Sequence, residues 1–234
     1  MKLLFAFSVP FFLFLLSPLS CFSQEFQVWP TVSIEKTFSK KYTIELTYQS
    51  RVRERASAYH SSLISTAFSY KVLPYLKLGI DYRIRFAVTD QVPSNRFGIS
   101  LTAFHNIRKV KISFRTAYQR RQTYFVPDDM SGSPSANFWR NRLEFTFDLP
   151  KKLSCNLGVE PYALFTINRI NLDRIRFSAG LRYAYRKRHT FYIDYLFQPE
   201  FDDNIFDRLN HILRFGYSWD IPSWKKKKKG KNTD

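Results

Sequence analysis

Apolar and polar side chains alternate along most of this chain. Between Asp173 and Tyr185, Ile175, Phe177, Ala179, Leu181, Tyr183 and Tyr185 share one parity, and Arg174, Arg176, Ser178, Gly180 and Arg182 share the other. A period of two is that of a β-strand, whose successive side chains point to opposite faces. The signature recurs from Tyr42 to Arg53, Tyr75 to Val88, Val110 to Tyr124 and His211 to Ile221. About eleven such segments can be counted, and no stretch after Leu16 keeps a helical period.

The connections alternate as well. Those near residues 39, 73, 108, 151 and 187 are short and often basic, whereas those near 56, 91, 130, 169 and 204 are longer and more polar. Short turns at one end and longer loops at the other mark an outer-membrane barrel. A secreted sandwich would place the apolar face in its core and the arginines in water. Three features favour the barrel. The segments exceed the roughly 9–11 residues a tilted transmembrane strand needs. Aromatic residues gather at strand ends (Tyr42, Tyr75, Trp139, Tyr185, Trp219), as an interfacial girdle would. A sandwich also gives no reason for the turn asymmetry. The pattern therefore predicts an all-β fold: a single antiparallel up-and-down transmembrane β-barrel of about 10–12 strands. The segment from 26 to 38 carries Pro30 and is expected to be the partial one, tucked into the lumen or paired at the seam.

Composition adds an address. Lys2 precedes an apolar run through Leu16, Pro18 interrupts it, and Ser20 and Ser23 offer a cleavage site before Gln24. Residues 1–23 read as a signal peptide, 24–221 as the barrel, and 222–234 as a disordered polybasic tail. The expected location is the bacterial outer membrane. The formal net charge of +18 would raise nucleic acid as a partner, but an exported chain speaks against it. Once the signal is removed one cysteine, Cys155, is left, so no internal disulfide is expected.

Several of these features together resemble one family: the apolar signal ending at Gln24, Trp29, the Arg51-Val52-Arg53 run, Tyr82-Arg83, the FWRNR segment from Phe138 to Arg142, and the final strand at His211. They resemble the domain-of-unknown-function 2490 family of outer-membrane β-barrel-like proteins. That resemblance implies a barrel, and it brings no assigned activity and no catalytic residue.

The inward face would gather Arg51, Arg53, Arg83, Arg85, Arg115, Arg121, Arg140, Arg142, Arg174, Arg176 and Arg182, with Glu45, Asp81, Glu144, Glu160 and Asp194 as partners. Guanidinium groups suit such pairing because their planar fork binds carboxylates through two bonds. The expected role is structural or binding, without catalysis, in a lumen filled by this network. A narrow anion-selective pore or transporter is the alternative. A second alternative is a lipid hydrolase using His60 and Ser62, two apart near the outer rim, as base and nucleophile. Ser62 is followed by Leu63, which departs from the Asn of the outer-membrane phospholipases this pair resembles. Asp128-Asp129 and Asp202-Asp203 with Asp207 read as solvated loop acids, and the histidines show no metal spacing. No metal or cofactor is expected. The expected partners are outer-membrane lipid and lipopolysaccharide, with Lys225–Lys229 touching anionic groups on the periplasmic side.

Overall fold

A computed structural model describes residues 24–39, 41–53, 57–88, 93–123, 135–165, 169–186, 188–202 and 205–222. The proposed signal segment 1–23, the tail from 223 onward with Lys225–Lys229, and the Asp128-Asp129 pair lie outside them, as does Asp203.

Eleven strands close into one barrel. In chain order they are β1 (Gln24–Phe38), β2 (Tyr42–Arg53), β3 (Ala58–Leu73), β4 (Leu76–Ala87), β5 (Ser94–Ile107), β6 (Val110–Thr123), β7 (Ala136–Leu149), β8 (Leu153–Phe165), β9 (Ile170–Tyr185), β10 (His189–Asp202) and β11 (Ile205–Ile221). Each consecutive pair is antiparallel. The closing pair is not. β1 runs parallel to β11, with Gln24 opposite Leu209 and Lys36 opposite Ile221. An odd number of up-and-down strands leaves the first and last pointing the same way, so closure demands one parallel seam.

This departs from the expected wholly antiparallel sheet, while the strand count falls inside the expected range. The segment with Pro30 is a full strand of 15 residues paired at the seam, not a partial one. Proline lacks the N–H a ladder would use, and it is tolerated in this first strand.

The two ends of the barrel differ. The short connections lie at one, the turn end, and the longer ones at the other, the loop end. At Pro150–Leu153 the chain reverses with Lys151 and Lys152 both at positive φ (61° and 64°). Two successive positive φ values make a type I′ turn, whose twist matches that of the flanking strands.

Sidedness follows the alternation. The outward parity is apolar and open: Ile44, Leu46, Ile80, Ile99, Phe177, Leu181, Phe191 and Ile193 are all exposed. On the inward parity Gln27, Thr31, Ser33, Gln119, Arg140, Asn156, Glu160, Asp194 and Gln198 are buried. The fold is therefore inverted relative to a soluble domain, with polar groups inside and apolar groups outside. The apolar interior is confined to small groups such as Trp29, Leu196 and Ile212 beside the seam.

Inward glycines let neighbouring side chains lie flat. A Cβ on Gly216 would sit 2.5 Å from the Tyr192 ring and 2.7 Å from the Thr31 carbonyl oxygen. The close approach of β10 and β1 across β11 thus depends on that missing side chain.

Candidate functional site

The inward faces of β2 and β4 set the chemistry of the lumen. From turn end to loop end, β2 presents Thr43, Glu45, Thr47, Gln49, Arg51 and Arg53, and β4 presents Lys77, Gly79, Asp81, Arg83 and Arg85. Hydroxyls and carboxylates thus give way to arginines as each strand climbs. The same holds on β6, where Gln119 and Arg121 occupy the loop-end half and Arg115 lies just short of the midpoint.

Glu160 on β8 anchors one wall. It accepts from Arg140 Nη2 at 2.7 Å, Arg115 Nη2 at 3.2 Å and the Tyr162 hydroxyl at 3.1 Å, and lies 3.9 Å from Arg176. Arg140 also donates to Gln119 Oε1 at 2.9 Å. Arg176 grips Gln198 Oε1 through both Nε and Nη2, and Gln198 passes a bond to Glu200, which pairs with Arg174. Charge-assisted bonds of this kind are the strong ones, and a carboxylate this buried needs several. Aromatic faces take part too. The guanidinium of Arg140 lies 4.4 Å from the Tyr162 ring centre and that of Arg51 lies 4.0 Å from the Trp29 ring centre. Such stacking is worth about 0.5–2 kcal/mol.

The opposite wall is less well balanced. Among the described residues Arg51 bonds only to neutral Gln49, at 3.3 Å, besides its stack on Trp29. It is repelled by Arg83, Arg176, Arg96 and Arg85. Arg83 makes no ion pair with any described residue, and its Nε is buried without an acceptor. Arg96 reaches Asp81 at 3.3 Å, yet its Nε is also unmet. This arginine group faces a cavity of about 500 Å³. Its lining runs along β2 from Thr43 near the turn end to Arg53 at the loop end. Twelve arginines and Lys77 line it against five carboxylates, so the wall carries an excess of positive charge. The network does not fill the lumen.

The cavity lining contains Arg51, Arg53, Arg83, Arg85, Arg115, Arg121, Arg140, Arg142, Arg174 and Arg176, with Glu45, Asp81 and Glu160. Arg53 pairs with Glu25 at 3.5 Å and Arg142 pairs with Glu144. Asp194 is fully buried and takes both Nε and Nη2 of Arg214, while Arg182 lies 5.9 Å from the Tyr192 ring centre. Those last groups form a patch in the turn-end half of β9–β11, of which Arg214 and Tyr192 also line the cavity. Sequence reasoning missed Arg96, Arg214, Glu200 and Trp29. Parity signals all four, because each shares a face with residues already singled out on its strand or across the ladder.

His60 and Ser62 do not form a regular pair. Arg51 is opposite Ser61 and Val52 is opposite Tyr59, so His60 is the extra residue of a bulge against β2. Ser62 sits opposite Phe86 and Ser50 on the apolar parity. Cys155 is half-buried between Phe147 and Leu181. Among the described residues no group of three or more His, Cys, Asp or Glu is placed to hold a metal ion.

A family model described as "Protein of unknown function (DUF2490)" matches residues 26–210. No curated protein matches the chain. Solved barrels of similar shape include the NanC porin, with a TM-score of 0.54 and 12% identity over 84% of this chain and 99% of that one. The β domain of the Bordetella autotransporter BrkA gives 0.51 and 12% identity, over 78% and 84%. A bacterial polysaccharide outer-membrane secretin gives 0.50 and 9% identity over 77% of this chain, which spans 63% of that structure's length. At these identities the likeness is one of fold.

Proposed function

Because this chain belongs to the DUF2490 family, whose description gives no function, its role has to be read from the lumen, and we propose an outer-membrane β-barrel that admits and binds small anions. In this reading residues 1–23 are removed on export and the apolar outer face meets lipid. The short turns face the periplasm. The surrounding partners are outer-membrane lipid and lipopolysaccharide. The role involves no catalysis. Lipid turnover at His60 and Ser62 is not part of it, and Ser62→Ala is expected to leave every measured property unchanged.

The observation that carries the reading is the arginine group at Arg51, Arg83 and Arg96, three cations beside the cavity with one nearby carboxylate, Asp81, which pairs with Arg96. Buried guanidinium groups without counter-charge cost several kcal/mol, and a small oxyanion or halide entering from the loop end removes that cost. Low-dielectric walls of one sign also concentrate counter-ions.

One observation favours a second reading, a closed structural barrel: Glu160 ties β6, β7 and β9 together through three arginines and narrows the lumen. Proteoliposomes loaded with a chloride-quenched dye separate the two. The anion reading expects quenching when chloride is added outside, slowed by competing phosphate. Liposomes that stay bright while the protein shows heat-modifiable gel migration would support the closed barrel instead.

A further inference from the structure

The turn end carries a second basic feature, on the outside of the barrel. Four of the five short turns read Ser39-Lys40-Lys41, Arg108-Lys109, Pro150-Lys151-Lys152 and Arg186-Lys187-Arg188, without a single carboxylate. Lys41, Arg108, Lys109, Lys151, Lys152, Arg186 and Arg188 are all exposed. Just above them sits a band of exposed rings that includes Phe38, Tyr42, Tyr75, Tyr185 and Trp219. Two cations lean on that band. Lys36 Nζ is 5.0 Å from the Phe38 ring centre, and the Arg186 guanidinium is 5.0 Å from that of Tyr185. An aromatic belt marks the depth of lipid headgroups, and long basic side chains next to it reach the same level.

Backbone geometry adds an independent argument. Arg108 (φ 52°), Lys151 (61°), Lys152 (64°) and Arg186 (49°) occupy left-handed positions. Tight hairpin turns give such positions to Gly, Asn or Asp, because other side chains are strained there. With Ser39 (φ 49°) these are the five non-glycine left-handed positions among the described residues, and the chain puts cations in four of them, accepting strain in exchange for charge. A turn selected for stability alone would read otherwise.

We propose that this turn-end rim is a collar that binds the phosphate groups of anionic phospholipids in the adjoining leaflet. Charge complementarity fixes the occupant: seven exposed cations in these turns face headgroup depth, and the turn end of such barrels lies on the phospholipid side of the outer membrane. The collar rests on the membrane placement above but not on the anion lumen, since none of these turn cations lines the cavity.

The test uses the full chain, folded in equimolar phosphatidylglycerol and phosphatidylcholine, extracted in mild detergent and weighed with its retained lipids by native mass spectrometry. The wild type is expected to retain phosphatidylglycerol about fivefold over phosphatidylcholine, and less as salt rises. The variant R108G/K151N/K152G/R186N should lose that preference while melting at the same or a higher temperature in zwitterionic detergent, because each change relieves a strained position. Equal retention of the two lipids by the wild type, or an unchanged preference in the variant, overturns the collar. If the wild type fails to insert into pure phosphatidylcholine vesicles, the membrane placement itself fails, which is a separate outcome read by heat-modifiable migration.

Discussion

The loop-end and turn-end halves of the lumen are built from the same eleven strands but solve the burial of charge in different ways. In the turn-end half polar groups are mostly small or paired, although the Asn156 amide, Arg182 Nε and Asp194 Oδ1 are buried there without a partner among the described residues. Thr43 bonds to Thr37, Thr47 donates to Glu45, and Asp194 is answered by Arg214. In the loop-end half the arginines outnumber their partners, and Arg51, Arg83 and Arg96 crowd one side of the cavity. A protein selected only for stability has no reason to keep the second arrangement, since breaking even is hard for buried ion pairs and harder for unpaired ions. The contrast supports the proposal that the loop-end half is the one that accommodates a ligand.

The sharpest way to break the comparison is to remove one carboxylate from each half. Glu160→Gln strips three arginines of a shared acceptor and is expected to cost roughly 3–5 kcal/mol in urea unfolding. Glu45→Gln, in the turn-end half, loses one hydroxyl bond and is expected to cost about 1 kcal/mol or less. Similar losses at both sites would erase the distinction.

A second test asks whether the halves are correctly assigned, since the direction of β1 decides that Trp29 belongs with the arginines and Glu35 with the hydroxyls. Ser33 and Ser218 are opposite one another across the parallel seam. In a Cys155→Ser background, S33C/S218C should form a disulfide in high yield, because adjacent strands lie within disulfide range. A seam of the other polarity leaves them apart and uncrosslinked.

The smallest effect concerns Arg83, which has no ion pair among the described residues. Removing a like charge from a crowd relieves repulsion, so Arg83→Gln is expected to hold stability or raise it by up to about 1 kcal/mol at low salt, with the gain fading as salt screens the cluster. A marked loss of stability would mean that Arg83 has a partner in the folded barrel that the cluster picture leaves out.

Much of this was legible in the amino-acid sequence. Strict alternation on β2, β4 and β9 sorts lumen from outer face, and the arginine column follows from parity alone. Loop lengths separate the two ends. Other features are not written locally. Arg96 stands beside Gly98 and Ser100, whose small size weakens the polar signal, and Arg214 is flanked by Leu213 and Phe215, which draw attention to the opposite face. Trp29 and Tyr162 look like girdle aromatics until the barrel closes and puts guanidinium groups on their faces. The parallel seam was implied by an odd count of segments, but Pro30 made the first one look dispensable. Whether charges meet across a lumen depends on stagger between distant strands, and periodicity carries none of that.

The central claim is that the excess of arginines over carboxylates makes the lumen select for anions. Reversal potential in a planar bilayer, with potassium chloride tenfold more concentrated on one side, tests it most directly. The account predicts a potential of the sign set by chloride, shrinking towards zero in R51Q/R83Q/R96Q. A potential of the sign set by potassium, or one that the triple substitution leaves unchanged, would contradict it.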